Sequence, residues 1–91
     1  MRIRNITKEI DILRQVRDYL RWKGFYVYRN HQSLGSHKGL SDLTAIRNGE
    51  TIWIEIKKPG GRLSDHQVKF GEEIETHGGK YLIVTKIEDL K

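Results

Sequence analysis

Residues 42–57 read DLTAIRNGETIWIEIK, two strand-like runs on either side of Asn48-Gly49. This dipeptide is typical of a two-residue β-hairpin turn, because Asn and Gly tolerate the positive φ that the turn requires. The turn sets the pairing of the two runs, and counting outward from it places Asp42 opposite Glu55. We therefore predict a hairpin that fixes the register of the sheet and brings two acidic side chains together.

The predicted hairpin has one apolar and one polar face, because side chains alternate across a strand. The apolar face, which we interpret as core, carries Leu43, Ala45, Ile52, Ile54 and Ile56. The polar face carries Asp42, Thr44, Trp53, Glu55 and Lys57. The chemistry of the protein is therefore expected on the second face.

Asp42 and Glu55 form the candidate functional pair. Like charges directly opposite each other destabilise a sheet, so this pair requires positive charge nearby. Lys57 supplies one charge, and a divalent cation supplies more; carboxylate oxygens suit Mg²⁺ or Mn²⁺. The alternative is a surface salt-bridge cluster without chemistry, the common outcome for exposed ion pairs. The alternating isoleucines around Glu55 predict a central strand and favour a metal site for phosphodiester hydrolysis.

The composition limits the classes of function. A chain of 91 residues predicts one domain, residues 1–91, with a modest core. The chain has no cysteine, which excludes disulfides, a thiol nucleophile and a zinc–thiolate site. No apolar run approaches the ~20 residues of a membrane span, and no signal peptide is visible. A soluble, cytoplasmic protein with no membrane partner is expected.

The positive charge is concentrated in the first half of the chain. Residues 1–41 carry nine Lys/Arg and three Asp/Glu, whereas residues 42–91 carry eight and nine, within a net charge of +5. This asymmetry favours polyanion binding by the first half, with the acids of the second half kept for a metal. Solubility alone is the alternative explanation, and the charge balance does not exclude it.

The remaining segments predict an α/β sandwich. Apolar periodicity predicts a helix over residues 6–23 and a second helix that begins at Ser64 and ends at residues 77–79. The β-prone runs at residues 25–29 and 81–84 predict two further strands. The first three strands then form an antiparallel meander, and the last strand joins in parallel after the second helix. The expected fold is a mixed β-sheet flanked by helices.

Three features allow two interpretations each. Glu9 lies at the edge of the first helix's apolar stripe, where it simply favours the positive helix start, which the sequence alone supports better, or points into a cleft. Residues 31–39 form a polar loop that suits phosphate binding or is an ordinary surface connection. Its histidines, His31 and His37, have no spacing or cysteine partner that supports zinc. The aromatics of residues 25–28 pack as core and sheet edge, which we favour, or stack on bases.

Residues 39–43 (GLSDL), 54–57 (IEIK) and 61–67 (GRLSDHQ) resemble the motifs of the virus-type replication and repair nuclease (VRR-NUC) domain. That domain belongs to the PD-(D/E)xK nuclease superfamily, which includes many restriction enzymes and archaeal Holliday junction resolvases. The Glu-x-Lys element is weak by itself, but the whole set at this spacing is specific, and the resemblance covers nearly the whole chain. One departure is Ser41, where the superfamily's name has proline; that position is structural. The resemblance implies the restriction-endonuclease-like fold.

The same resemblance implies a metal-dependent nuclease site. Asp42 and Glu55, helped by the backbone carbonyl of Ile56, would hold Mg²⁺, with Mn²⁺ as a substitute. Lys57 would position or activate the attacking water and offset charge that develops on the phosphate. A bound divalent metal agrees with the needs of phosphodiester hydrolysis, which requires a nucleophile at neutral pH and a counter-charge for the transition state.

Further residues are assigned by the resemblance. Gln67 would reach the metal site from the start of the second helix, although its spacing from Ser64 is also that of a capping box. Glu9 matches an acidic residue in the first helix of the family, which places it among the catalytic candidates. We assign DNA contacts to Lys38, Ser41, Lys58, Arg62 and Ser64.

The resemblance also implies a partner and an assembly. Stand-alone members of the family, often phage-encoded, resemble Holliday junction resolvases and act as homodimers, whereas members fused into larger repair enzymes cut flaps. We therefore expect a homodimeric DNA endonuclease that acts on four-way junctions, encoded by a phage and acting in a bacterial host. The alternatives are a flap or generic nuclease, a non-catalytic nucleic-acid-binding module on the same fold, and an interaction subunit of a larger nuclease.

Overall fold

The protein folds as a four-stranded sheet with helices on both faces. A computed structural model describes residues 8–91. The elements in chain order are α1 (Glu9–Trp22), β1 (Tyr26–Arg29), β2 (Leu43–Arg47), β3 (Glu50–Ile56), α2 (Asp65–Thr76), β4 (Lys80–Val84) and a closing 3-10 turn (Ile87–Leu90). The first two residues of the predicted helix, 6 and 7, and its predicted cap at Asn5 or Thr7 lie outside the described residues.

The sheet has the predicted mixed topology. Its strand order is β1-β2-β3-β4, with antiparallel pairing from β1 to β3 and parallel pairing between β3 and β4. β3 therefore has a strand on each side, as the alternating isoleucines of this segment predicted. None of the helices within residues 8–91 has the length and apolarity needed to cross a bilayer.

The hairpin between β2 and β3 forms as its turn residues predict. Asn48 and Gly49 have φ values of 52° and 81°, the combination that a type I′ turn requires. The ladder runs from Arg47↔Glu50 to Leu43↔Ile54, so each predicted pair in this range is confirmed. Asp42 lies one residue beyond the last ladder pair, beside the segment that contains Glu55.

The main core lies between α1 and the apolar face of the hairpin. Leu43, Ala45, Ile54 and Ile56 are all at most 1% exposed, and α1 covers them with Ile12, Leu13, Val16 and Leu20. Fully burying an aliphatic side chain of this size contributes about 1.5–3 kcal/mol. The helix ends in a Schellman motif, because Gly24 (φ +94°) lets the Phe25 N–H reach the Leu20 carbonyl.

α2 covers the opposite face of the sheet beside β4. Phe70 and Gly71 are buried against the sheet, and the Phe70 ring meets the Tyr81 ring edge-on at 6.0 Å between centroids. Val68, which apolar spacing assigned to the buried side, is 41% exposed. The helix is short and contacts the sheet mainly along β4, so it buries a narrower set of apolar residues than the sequence suggested.

β1 forms an edge of the sheet, and this changes the environment of its aromatic residues. Phe25 packs against the core as predicted, whereas Tyr26 is 70% and Tyr28 43% exposed. Both tyrosines point to the face that carries Thr44, because Tyr28 pairs with Thr44 in the ladder. α2 lies over the far side of this face, so no element of residues 8–91 covers the two rings.

Candidate active site

Asp42 joins the ends of the two hairpin strands. Its Oδ2 atom accepts a hydrogen bond of 2.7 Å from the backbone N–H of Ile56, the last residue of β3. The backbone of Asp42 is held as well, because its carbonyl accepts a 2.8 Å hydrogen bond from the N–H of Asn30. The carboxylate is therefore fixed at the end of the sheet where β3 terminates.

Asn30 is a positioning residue that the sequence analysis missed. Its Nδ2 donates to the Ser41 carbonyl at 2.9 Å, and its Oδ1 accepts from the Thr44 hydroxyl at 3.1 Å. These bonds hold the Ser41 backbone and the Thr44 side chain on either side of Asp42. The pairing of β1 with β2 could have indicated this role, since Arg29 pairs with Leu43 and the next pair outward is Asn30 and Asp42.

Glu55 lies in the same region, buried under the start of α2. Its side chain is 2% exposed, and its Oε2 atom accepts a 3.0 Å hydrogen bond from Nε2 of Gln67. The Nζ atom of Lys57 lies 3.9 Å from the same oxygen, and the lysine side chain is itself 16% exposed. The other oxygen, Oε1, is buried without a hydrogen-bond partner among residues 8–91. The structure thus brings together the acid, lysine and glutamine that the sequence analysis assigned to one site.

The electrostatics of the site oppose ionisation of Glu55. Burial raises the pKa of Glu55 to about 8, and the charge of the neighbouring Asp42 acts in the same direction. Lys57 lowers this pKa but does not compensate, and the charge of Glu9 adds to the increase. Two carboxyl groups held this close without a cation are costly, so the pair is suited to a positively charged occupant.

In the metal-free protein we expect the free energy of unfolding to decrease between about pH 5 and about pH 8. The unfolded Glu55 carboxyl releases its proton near the ordinary pKa of 4.5, whereas the folded one keeps it up to about 8. Between these values the native state binds the additional proton, so stability falls as the pH rises. Glu55→Gln removes this titration. The free energy of unfolding of the variant relative to wild type should therefore rise by about 2 kcal/mol between about pH 5 and about pH 8, after allowing for solvent screening.

Urea unfolding of both proteins in EDTA, from about pH 5 to about pH 9, measures this difference. Glu50→Gln serves as the matched control, because Glu50 is an exposed acid at the other end of β3. A stability difference between Glu55→Gln and wild type that does not change with pH would show that Glu55 is an ordinary carboxylate.

Gln67 caps α2 and contacts Glu55 at the same time, so the two rival interpretations are compatible with one conformation. Its Oε1 atom accepts a hydrogen bond from the backbone N–H of Ser64 at 2.9 Å, and the backbone N–H of Gln67 donates to the Ser64 hydroxyl at 3.2 Å. This is the predicted capping box at the start of α2. Because the amide oxygen caps the helix, the amide nitrogen is directed at Glu55. The helix start therefore fixes one orientation of the buried carboxyl group.

If the site cleaves DNA, as the sequence motifs imply, Gln67→Ala should slow that cleavage more than tenfold while lowering stability only modestly. The substitution removes the amide that donates to Oε2 of Glu55. If Glu55 holds a metal, losing a partner that orients it costs about 10–100-fold. Loss of the cap costs about 1 kcal/mol. Ser64→Ala is the matched control, since it breaks the same capping box but leaves the Gln67 amide in the chain. If both variants slowed cleavage equally at saturating DNA, Gln67 would act only as a capping residue.

Glu9 lies at the rim of the site. It is the first residue of α1, and its Oε2 atom is 3.5 Å from the backbone N–H of Lys58. This contact crosses from the helix to the chain that leaves β3, and the charge of Glu9 reaches Glu55. The position combines both sequence interpretations, because Glu9 is at the positive helix start and also faces the acidic pair.

The predicted DNA contacts lie around the site, with one exception. Lys38, Lys58, Arg62 and Ser64 are exposed. Lys38 and Ser64 line a groove of about 460 Å³ together with Gly39, His66 and Gln67. Ser41 is fully buried, and its hydroxyl donates to the Leu43 carbonyl at 3.3 Å. Its side chain is unavailable to DNA in this structure, so Ser41 is not part of the interface proposed below.

The loop of residues 31–41 is held against the start of α2. A Cβ atom on Gly39 (φ +76°) would come within 2.1 Å of the His66 carbonyl, so only glycine fits there. His37 packs its ring edge-on against Phe70, with 5.6 Å between centroids, and its Nδ1 lies 3.0 Å from the Lys38 carbonyl. This loop therefore forms one wall of the groove next to Gln67.

Comparison with known proteins identifies relatives in sequence and in fold. The model of a family described as archaeal Holliday junction resolvase (Hjc) matches residues 5–89 of the chain. A solved structure described as a VRR_NUC domain superposes with a TM-score of 0.78 at 18% sequence identity, covering 93% of this chain and 91% of that one. Its likeness confirms the fold that the sequence motifs implied. No curated protein matches the chain.

The site fits a divalent cation, which nucleases of this fold generally use. The Asp42 carboxyl group, whose charge raises the pKa of the neighbouring Glu55, and one buried Glu55 oxygen without a donor among residues 8–91 form an oxygen-rich site suited to a cation. Within residues 8–91 no three acidic or histidine side chains form a metal-binding cluster. Asp42 and Glu55 would therefore hold the ion as a pair, with the Ile56 carbonyl, water or DNA as the other ligands.

Proposed function

Because the chain belongs to the archaeal Holliday junction resolvase (Hjc) family, we propose that it is a Mg²⁺-dependent DNA endonuclease that cuts four-way junctions. The observation that carries the proposal is the buried Glu55 carboxyl group, which Gln67 orients and Lys57 approaches. A module that only bound DNA would have no use for a carboxyl group whose ionisation its surroundings oppose.

In the proposed reaction each group of the site has a distinct task. Asp42 and Glu55 bind Mg²⁺, or Mn²⁺ in its place, and the carbonyl of Ile56 completes the protein ligands. The bound ion supplies counter-charge at the scissile phosphate and lowers the pKa of water. Lys57 orients the attacking water and offers fixed positive charge where negative charge develops on the phosphate. Gln67 keeps Glu55 in the orientation that binds the ion.

The proposed DNA path crosses the groove and the turn after β3. Lys38 and Ser64 lie on the groove side, and Lys58 and Arg62 are exposed on the turn between β3 and α2. These groups contact phosphates, which position the duplex without reading its sequence. Recognition of a junction then depends on DNA shape, and affinity should decrease steeply as salt concentration rises.

We further propose that the protein acts as a homodimer. A four-way junction offers two equivalent strands, and a two-fold dimer offers two equivalent sites. The exposed aromatic pair on the edge strand β1, Tyr26 (70% exposed) and Tyr28 (43% exposed) with 6.0 Å between ring centroids, supports a contact between copies there. Large apolar side chains exposed together are typical of interaction surfaces.

Cleavage of labelled four-way junctions, flaps, splayed arms and duplexes with Mg²⁺, Mn²⁺ or EDTA tests the proposed function. We expect paired cuts in four-way junctions with either metal and none in EDTA, together with a dimer mass by light scattering. If a monomer cleaved flaps in preference to junctions, the protein would be a flap-type nuclease and the resolvase proposal would be wrong. Binding without cleavage of any substrate would leave a DNA-binding module.

A further inference from the structure

Two buried polar atoms of the active-site face lack hydrogen-bond partners among residues 8–91. They are the Oε1 atom of Glu55 and the hydroxyl of Tyr81. Buried polar groups are almost always paired with protein or with ordered water, so each unpaired atom requires an explanation. A carboxylate oxygen accepts and a phenol hydroxyl donates, so these two atoms have complementary needs.

Tyr81 faces the site from β4. It pairs with Trp53 in the parallel ladder, and Trp53 shares its face of β3 with Glu55. The negative charges of Glu55 and Asp42 both reach the hydroxyl, and together with burial they raise the pKa of Tyr81 above its ordinary value. The tyrosine therefore keeps its proton at neutral pH and remains a donor.

The position of the Tyr81 ring is fixed by α2. A Cβ atom on Gly71 would come within 2.6 Å of the ring carbon Cε2, so the glycine leaves the space that the ring occupies. Phe70 meets the same ring edge-on. The hydroxyl thus has one location, buried on the face of the two carboxyl groups.

We propose that Tyr81 is a positioning residue whose hydroxyl donates, through one buried water, to Oε1 of Glu55. The two atoms make no direct hydrogen bond, and a water between polar groups satisfies both at small cost. Gln67 holds Oε2 and the Tyr81 water holds Oε1, so the carboxylate is restrained at both oxygens. The inference rests on the proposed function, because the restraint serves metal binding by Glu55.

Titration calorimetry with Mn²⁺ and no DNA tests this role directly. Tyr81→Phe should weaken Mn²⁺ binding about tenfold, the usual effect of removing a group that orients a metal ligand. Cleavage at saturating Mg²⁺ and DNA should show a lower kcat, with an unchanged Kd for DNA. Tyr19→Phe is the matched control, since Tyr19 lies on α1 and packs against the core on the other face of the sheet, and it should bind Mn²⁺ as wild type does.

The outcomes separate this inference from the function on which it rests. Mn²⁺ affinity in Tyr81→Phe equal to wild type would overturn the positioning role and leave the nuclease proposal intact. A wild-type protein that binds no Mn²⁺ would overturn both. The melting temperature of Tyr81→Phe in EDTA should stay within about 2 °C of wild type. A larger decrease together with weaker Mn²⁺ binding would show that Tyr81 supports the fold instead.

Discussion

Glu55→Gln and Asp42→Asn are each expected to lower the cleavage rate at least about a thousandfold. Each substitution removes one of the two carboxylates that would hold the ion. The charge stabilisation that a bound metal gives a phosphodiester transition state amounts to several kcal/mol. Since about 1.4 kcal/mol corresponds to a factor of ten in rate, losing it costs three or more orders of magnitude. Single-turnover cleavage of a labelled junction with Mg²⁺ measures the loss.

The same variants should fold as well as wild type or better. The Glu55→Gln side chain keeps an amide oxygen that can accept from Gln67, and Asp42→Asn keeps an oxygen that can accept from the Ile56 N–H. Both changes remove the repulsion between Asp42 and Glu55 that raises the pKa of Glu55, so melting temperatures in EDTA near pH 8 should not decrease. Glu50→Gln, with the same loss of charge far from the pair, should leave the rate unchanged. A wild-type rate in either active-site variant would remove that residue from the site.

Much of this site could be predicted because its register depends on a two-residue turn. Asn48-Gly49 specifies a hairpin by backbone preference alone, and counting from it placed Asp42 beside Glu55 before any contact was known. The capping box of Ser64 and Gln67 was readable for the same reason, since its bonds span only three residues. Interactions between residues close in sequence thus determine the conformation of the hairpin and of the start of α2, which supply most of the site.

The features that the sequence did not reveal depend on contacts between distant segments. Tyr81 reaches the site because β4 lies parallel to β3, in a register that no local pattern sets. The position of Asn30 beside Asp42 depends on the register between β1 and β2, and the sequence does not set that register because a long loop joins the two strands. The prediction that Val68 is buried is wrong, because burial depends on which element covers a face and an apolar residue type does not specify that.

Lys57→Ala should lower kcat about 100–1000-fold and leave the affinity for DNA nearly unchanged. The Lys57 Nζ atom is 3.9 Å from Glu55 and largely buried, so its charge acts at the site where the phosphate would react. Removing one preorganised group that stabilises developing negative charge costs two to three orders of magnitude in rate. A single phosphate contact contributes little to an affinity that is spread over many, so Kd should change only slightly.

Lys58→Ala is the matched control and should show the opposite pattern. Lys58 is the next residue and has the same charge, but its side chain is exposed and its backbone N–H faces Glu9. Loss of one phosphate contact should reduce the slope of log K against log salt by about one and leave kcat at saturating DNA unchanged. Salt titrations of binding by fluorescence anisotropy, combined with single-turnover rates, separate the two variants. If Lys57→Ala reduced the salt slope and kept the rate, Lys57 would belong to the DNA-binding surface, and the catalytic charge would have to come from another group.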